Sequence, residues 1–489
     1  MSLSKYFSNE QLTQGQQELL IKLQDFLQKS NDSTFLLKGY AGTGKTHITA
    51  GITRYLMARN REFVILAPTG KAANVISKKT LCPAYTIHRV IYNFCESKDN
   101  EHPSEDDIHQ ELPHTLSEVG LNDDDFDTVY IVDEASMVSD EYSESDCCGF
   151  GSGYLLHDLI KHINPNRTNR KIIFIGDEAQ LPPVNSSYSP ALDEAILKSR
   201  YRLKCQSYEL TEVVRQKDKS GVMSNAKKLR EALISWDFHG FKFDTTRADI
   251  SRLSTHDFLK KYIESLIQKA TSTEEAIIIA FTNKQIRQYN NYVRGILFSP
   301  KAAVQVGEAV VCTRNHKVDR DRIISNGEFG KIKRVFPGVE CRSIEVMDKV
   351  KGGFKPVVVD LNFVVLQVEF INSFGEPYLI TEKVLLNLLE RSSPRPSSVE
   401  NKALYVDFKK RNFINNKVNH SDYIEAKLSD PYLNFLHLNF GYAITCHRSQ
   451  GSEFKNVFVD TYQGRQESEQ YIRWLYTAIT RTSDKLYIK

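Results

Sequence analysis

Gly39-Tyr40-Ala41-Gly42-Thr43-Gly44-Lys45-Thr46 has the sharpest chemical content of any stretch in this chain. It fits G-x-x-x-x-G-K-[ST], the spacing of a phosphate-binding P-loop. Glycines let backbone N–H groups turn inward onto phosphate oxygens, and a following helix adds the positive end of its dipole. Gly39, Gly42, Thr43, Gly44, Lys45 and Thr46 are therefore expected to hold a nucleoside triphosphate. Lys45 would reach its β- and γ-phosphates and Thr46 would hold Mg2+. A second pair, Asp133-Glu134, ends the apolar run 128–132. Adjacent acids at a strand end suit phosphoryl transfer to water. Asp133 would hold Mg2+ through water, and Glu134 would orient and deprotonate the attacking water. Without a P-loop upstream, the same pair would read as turn residues.

These groups need elements that aim them. Residues 34–38 read as a short strand and 47–52 as the opening of a helix, the strand–loop–helix setting a P-loop requires. Apolar runs at 62–67, 171–175, 275–280 and 456–460 resemble buried parallel strands. In an open α/β sheet the loops at the carboxyl ends of strands form the ligand crevice. Those loops carry Pro68-Thr69-Gly70-Lys71, Thr86-Ile87-His88-Arg89 and Thr445-Cys446-His447-Arg448-Ser449. From about 303 to 429 the pattern changes to short alternating β runs, with Asn326-Gly327-Glu328 as a hairpin-type turn. Residues 139–153, rich in Ser, Gly and acid, read as a flexible insertion. Thr13 can cap a helix over 18–28, with Gln16 completing a capping box. Gln16 has a second reading, as an amide that recognises an adenine edge. The stretch 405–417 mixes Lys and Arg with aromatics, either as solvated surface or as part of a nucleic-acid track.

The chain has 489 residues, enough for two to four domains, with 41% hydrophobic and 26% charged residues. No apolar run approaches the ~20 residues of a membrane helix. The first residues have neither the apolar core of a signal peptide nor an Arg-rich transit pattern, so a cytoplasmic location is expected. Eight cysteines without a C-x-x-C pair indicate neither a zinc ribbon nor a disulfide framework. Net charge is only +3, yet residues 96–127 hold twelve acids and one lysine, a local −11 that leaves +14 on the rest. A basic body suits a polyanion track, and the acidic block also reads as a solvated insertion.

The ordered motifs resemble superfamily 1 helicases, closest to the RecD/Dda-like branch, superfamily 1B. The most specific pieces are GDEAQLPPV at 176–184, AITCHRSQGSEF at 443–454 and YTAITR at 476–481. The resemblance implies an α/β fold with two tandem RecA-like P-loop domains. Domain 1A would comprise 1–88 and 127–190, and an accessory domain 1B with the pin region 89–126. Domain 2A would comprise 191–302 and 430–489, with a Src-homology-3-like barrel, domain 2B, at 303–429. The resemblance further implies that Gln16 reads adenine, Glu453 meets the ribose and Gln180 senses γ-phosphate and DNA. Arg215 and Arg481 would reach the γ-phosphate from the second domain. Pro68, Thr69, Thr86, His88, Thr445, His447 and Ser449 would line the DNA path. His447-Arg448 stands where relatives often have His-Lys.

The implied activity is an ATP-dependent DNA helicase, with ATP and Mg2+ as cofactors, moving 5′→3′ on single strands and opening forked duplex. A single-strand-binding or replication protein is an implied partner, the implied state is a monomer, and the implied place is the nucleoid or, for a phage protein, the host cytoplasm. Two alternatives remain at this point: an RNA or RNA/DNA helicase of the same superfamily, and a P-loop kinase or protein-remodelling ATPase without a nucleic-acid track.

Overall fold

The computed structural model describes residues 2–7, 12–94, 115–143, 148–214, 220–268, 275–299, 302–318, 322–350, 353–372, 375–389, 391, 393, 395–413, 420–461 and 467–489. Three sheets organise them. The first has six parallel strands in the order Ala84–Thr86, Phe63–Ala67, Val129–Val132, Lys171–Gly176, Thr34–Gly39, Cys205–Leu210. The P-loop strand Thr34–Gly39 lies inside it, and four of its six residues are fully or nearly fully covered apolar or Thr side chains. The sequence placed the start of the second unit near 190. The structure moves it, because Cys205–Leu210 pairs in register with Thr34–Gly39.

The second sheet is also parallel, in the order Ile250–Arg252, Thr482–Ile488, Phe454–Val459, Ala276–Ala280, Ala443–Thr445. Continuous apolar strands such as Ala276–Ala280, buried at every position, are what a parallel sheet covered on both faces demands.

The third sheet is antiparallel. The 19-residue strand Gly353–Ile371 pairs with Glu340–Val350, Phe329–Val335 and Pro377–Leu385, and Ala309–Cys312 links it to Leu438–Phe440. One hydrophobic cluster runs from the second sheet into this one, joining Phe258, Ile278 and Phe458 to Val310, Val368 and Phe370. Helix Ser398–Asn412 seals the far half of the sheet, burying Leu404, Val406 and Phe408. Tyr405 is also buried, and Arg411 pairs with Asp407 and Asp430. The described part of 405–417 is thus core and ion pair rather than a basic track.

A small sheet joins Tyr92–Phe94, Thr115–Val119 and Cys148–Phe150. Part of the stretch read as a flexible insertion is therefore a strand. Most of the acidic block, with any pin residue, lies outside the described residues.

Candidate functional site

The P-loop conformation follows from its glycines. Gly42 and Gly44 have φ of 82° and 87°, a region costly for other L-residues. A Cβ on Gly39 would lie 2.8 Å from Thr43 Oγ1 and 3.1 Å from Leu210 Cβ, so the strand end admits no side chain. Gly44 precedes helix Lys45–Met57, whose first amides point into the loop. Lys45 Nζ donates to the carbonyls of Gly39 and Tyr40 at 2.6 and 2.9 Å, which curls the ammonium over the loop. Thr46 is the second residue of that helix.

Gln16 is buried against the same loop. Its Nε2 donates to the Thr43 carbonyl at 3.1 Å, while its Oε1 accepts from the Thr13 N–H in a complete capping box. The cap reading is realised, and the amide also touches the P-loop.

Asp133 and Glu134 follow strand Val129–Val132. That strand is separated from the P-loop strand by Lys171–Gly176 alone. Burial and then the neighbouring Glu134 charge push the Asp133 carboxyl up to about 7, while Lys45 and Lys79 pull it down. Glu134 adopts φ 50°, ψ 39°, a left-handed conformation that costs about 1–2 kcal/mol for a residue with a Cβ. Strain of this kind persists only where the surroundings enforce it, and it gathers at functional positions.

The loop after Lys171–Gly176 meets the second domain. Asp177 is fully buried and accepts from Tyr476 Oη at 2.7 Å; the same oxygen accepts from the Ala41 N–H of the P-loop at 3.1 Å. Arg473 donates to the carbonyls of Glu178 and Gln180. The Leu181 N–H donates to Thr477 Oγ1 at 2.8 Å, and Gln450 Nε2 donates to the Leu181 carbonyl at 2.9 Å. Arg230 joins Asp177 to Glu209 and lies over the Tyr40 ring; burial pulls its guanidinium down to about 10. Ala179 and Leu181 insert into the apolar cluster of the second domain beside Trp474. Gln180 is 3% exposed, and its Oε1 accepts no hydrogen bond among the described residues.

Tyr476, Thr477, Arg473, Asp177 and Arg230 received no role from the sequence. Four of them lie in or beside the motifs that were singled out. Their pairing across domains leaves no periodicity or spacing to read.

Arg481 is buried. It donates to the carbonyls of Thr477 and Ser452 at 3.1 and 3.4 Å, so it is braced within its own domain behind the Tyr476 contact. Arg215 lies outside the described residues. Glu453 approaches Lys79 of the first domain at 3.9 Å.

The strand-end residues share one local design. Thr69, Thr86 and Thr445 each cap a short helix, accepting from the N–H of Ala72, Arg89 and Arg448. Thr282, not singled out from sequence, does the same with a full capping box at Asn283–Leu297, after the strand that pairs with Ala443–Thr445. Pro68 precedes the Thr69 cap. His88 packs against Tyr92 and Phe150 with ring centroids at 5.6 and 5.3 Å. Burial lowers the pKa of His88 and of His447, which favours neutral rings. Ser449 does not reach the surface that the resemblance implied for it. It is fully buried, and its hydroxyl donates to the Cys446 carbonyl at 2.7 Å, so its side chain cannot touch a strand on the surface.

The two domains also meet beyond the P-loop. Asn74 Nδ2 donates to Glu328 Oε1 at 2.6 Å, Lys71 lies over the rings of Phe329 and Phe454, and Gly451 packs on Ala72. A Cβ on Gly70 would overlap Ser325. Among the described residues no group of three or more His, Cys, Asp or Glu forms a metal cage, and no helix is long and apolar enough to cross a membrane.

Comparison with known proteins gives two family matches in chain order. The AAA domain model matches residues 11–242, and the UvrD-like helicase C-terminal domain model matches residues 440–488. An uncharacterized protein, R530, of Acanthamoeba polyphaga mimivirus is 24% identical over 95% of this chain and 97% of its own length. The ATP-dependent DNA helicase dda of Enterobacteria phage T4 is 26% identical over 66% of this chain and 67% of its own length. Among solved structures, Bacteroides Pif1 bound to single-stranded DNA overlays with a TM-score of 0.46 at 15% identity, covering 98% of this chain and 92% of that one.

Proposed function

From the premise that this chain belongs to the superfamily 1B helicases of the Pif1/RecD/Dda type, we propose that it hydrolyses ATP between its two parallel-sheet domains and uses the cycle to move 5′→3′ along single-stranded DNA and open duplex. The observation that carries this reading is the contact of Tyr476, from the second domain, with both the P-loop amide of Ala41 and the buried Asp177. A nucleotide held at Lys45 would therefore sit beside a domain boundary, and its turnover would bear on how that boundary closes.

In this reading Gly39, Gly42, Thr43, Gly44 and Lys45 cradle the phosphates, and Gln16 reads adenine. Mg2+ fits the donor set. A carboxyl pushed up by burial gains from a cation, and a hydroxyl, a carboxylate and nucleotide phosphates suit a hard octahedral ion. Thr46 and Asp133 would hold it, where it would neutralise phosphate charge. Glu134 takes the proton of the attacking water. Gln180, whose Oε1 is unengaged among the described residues, turns between γ-phosphate and the Gln450–Leu181 link. Arg481 and Arg215 supply positive charge when the cleft tightens, an effect worth ~10³–10⁵ in rate for arginines of this kind. Glu453 borders the ribose. The strand passes the helix N-termini capped by Thr69, Thr86 and Thr445, with Pro68, His88 and His447 beside them. The small sheet at 92–150 stands as domain 1B and the antiparallel sheet as the barrel-like domain 2B.

The test is a forked-duplex assay with ATPase measured in parallel. The expected result is ATP hydrolysis raised by single-stranded DNA and strand separation from a 5′ tail. ATPase indifferent to any nucleic acid would sink the helicase reading in favour of a trackless ATPase, and a preference for RNA duplex would redirect the substrate.

A further inference from the structure

The helix Gly221–Ser235 belongs to the second domain, where Val222, Ala226 and Leu229 enter the apolar cluster of the second sheet. Arg230, one position further along, turns to the first domain. Its guanidinium lies over the Tyr40 ring of the P-loop, pairs with Glu209 of the edge strand and faces Asp177 Oδ1 at 3.7 Å. The side chain is 8% exposed, and its Nε and Nη1 make no hydrogen bond among the described residues. A buried cation with two unmatched N–H groups is costly, and an apolar residue of similar volume would avoid that cost. Stability alone therefore gives no reason for an arginine here. The second domain touches the P-loop at a neighbouring residue as well. Tyr476 Oη accepts from the Ala41 N–H at 3.1 Å and donates to Asp177 Oδ2 at 2.7 Å. Arg230 and Tyr476 thus share one carboxylate and grip consecutive P-loop residues. The Tyr40 carbonyl in turn accepts from Lys45 Nζ at 2.9 Å. A triphosphate that draws Lys45 onto its phosphates takes this cation away from the residue that Arg230 covers.

We propose that Arg230 is a positioning residue that carries the effect of a bound single strand from the second domain to the P-loop. The proposal rests on the helicase reading and names the side chain that conveys stimulation, not the chemistry at the nucleotide. The loop has two arrangements, one with Lys45 on the Tyr40 carbonyl and one with Lys45 on phosphate. Arg230 biases the choice between them, because it fixes the Tyr40 ring relative to a helix of the other domain. A planar guanidinium stacked on a ring holds orientation as well as distance, which an ammonium does not. Movement of the second domain thereby reaches Tyr40 through Arg230 and Ala41 through Tyr476, with Asp177 keeping the two in step. Without Arg230 the loop still meets the nucleotide, but it answers less to the strand.

The test measures ATP hydrolysis by the full chain with and without an oligothymidylate, for Arg230→Gln, Arg230→Lys, Tyr40→Leu and the pair Arg230→Gln with Tyr40→Leu. Arg230→Gln should keep KM for ATP and the basal rate within about twofold and lower the strand-stimulated kcat about tenfold, the order of a coupling between sites. Arg230→Lys keeps a cation facing Asp177 and loses the flat stack, so it should restore only part of the stimulation. The paired variant should lose no more stimulation than Arg230→Gln alone, because both changes cut one contact. Affinity for the oligothymidylate should stay unchanged, since Arg230 is buried. Full stimulation in Arg230→Gln, whatever its unfolding midpoint, would reduce the residue to packing and overturn the proposal. Basal and stimulated rates falling together, or additive losses in the pair, would overturn it too. If Arg230→Gln fails to fold, Arg230→Lys and Tyr40→Leu carry the test, each expected to lose stimulation. An unsubstituted chain whose hydrolysis ignores the strand would instead remove the helicase reading, and the proposal with it.

Discussion

Glu134 holds a left-handed backbone that favours glycine, yet a glutamate stands there. Glu134→Gln keeps size and conformation and removes the base. It should retain ATP binding and lower hydrolysis about 10²–10⁴-fold. Nucleotide-binding fluorescence and phosphate release measure the two separately, and normal turnover would remove the residue from its role. Glu134→Gly should also lose hydrolysis but gain about 1 kcal/mol of stability as the strain is released, read from denaturant unfolding. Lys45→Ala, by contrast, should abolish hydrolysis by weakening the hold on β- and γ-phosphates, without a stability gain.

At the scale of elements, the short helix before the P-loop is more than an N-terminal tail. Phe7 of the Leu3–Phe7 turn lies so close to helix Lys45–Met57 that a Cβ on Gly51 would fall 1.7 Å from Phe7 Cζ. Gly51→Ala should therefore destabilise by about 1–3 kcal/mol through overpacking. Phe7 is itself core, so Phe7→Ala should cost less on the Gly51→Ala background than alone, because the ring that clashes is gone. Equal unfolding midpoints for Gly51→Ala and the unsubstituted chain would contradict the packing.

Elements of this kind show what the sequence made legible. The inner strands of the two parallel sheets, such as Lys171–Gly176 and Ala276–Ala280, announced themselves as apolar runs because burial on both faces leaves them few polar positions. The Thr13–Gln16 capping box was equally readable, being local chemistry. Cys205–Leu210 was not read as a strand of the first sheet, because its partly exposed edge position dilutes the apolar run. Cys148–Phe150 was lost in a Ser- and acid-rich stretch because its pairing with Thr115–Val119 is long-range. Within the site, the P-loop glycines were legible from spacing. Tyr476 was not, because its meaning depends on Ala41 and Asp177 lying opposite it in space. Ser449 misled for the converse reason: position in a motif does not reveal which way a hydroxyl points.

For the whole molecule, the turn Ser325–Glu328 is where the third sheet touches the first domain. Burial pushes the Glu328 carboxyl up to about 7, against the pull of Ser325, Asn74 and Lys71. A folded pKa above the unfolded one gives stability that is full below about 4.5 and lost as pH rises through about 7. Glu328→Gln should flatten the dependence of the unfolding midpoint on pH between about 5 and 8. An undiminished slope in that variant would place the dependence elsewhere.

In the proposed function the residues around the nucleotide do not set the direction of travel, which would come from which domain holds the strand while the cleft closes. The third sheet shares a continuous core with the second domain through Val310, Val368 and Ile278, so the two should move as one piece. The hairpin Glu340–Val350 with Gly353–Phe363 extends from that piece, and its tip, with Phe354 and Val358 exposed, adds little to the core. Removing residues 340–425 would take out Val364, Leu366 and Val368 and collapse the cluster they share with the second domain. Shortening the hairpin across 347–356 avoids that damage. If the third sheet braces the strand, the shortened protein should keep its unfolding midpoint and its basal ATPase. Unwinding from a 5′-tailed duplex should fall several-fold. Equal unwinding from 5′ and 3′ tails in the unsubstituted chain would overturn the polarity, while unimpaired unwinding by the shortened protein would move the brace from the hairpin to the body of the sheet.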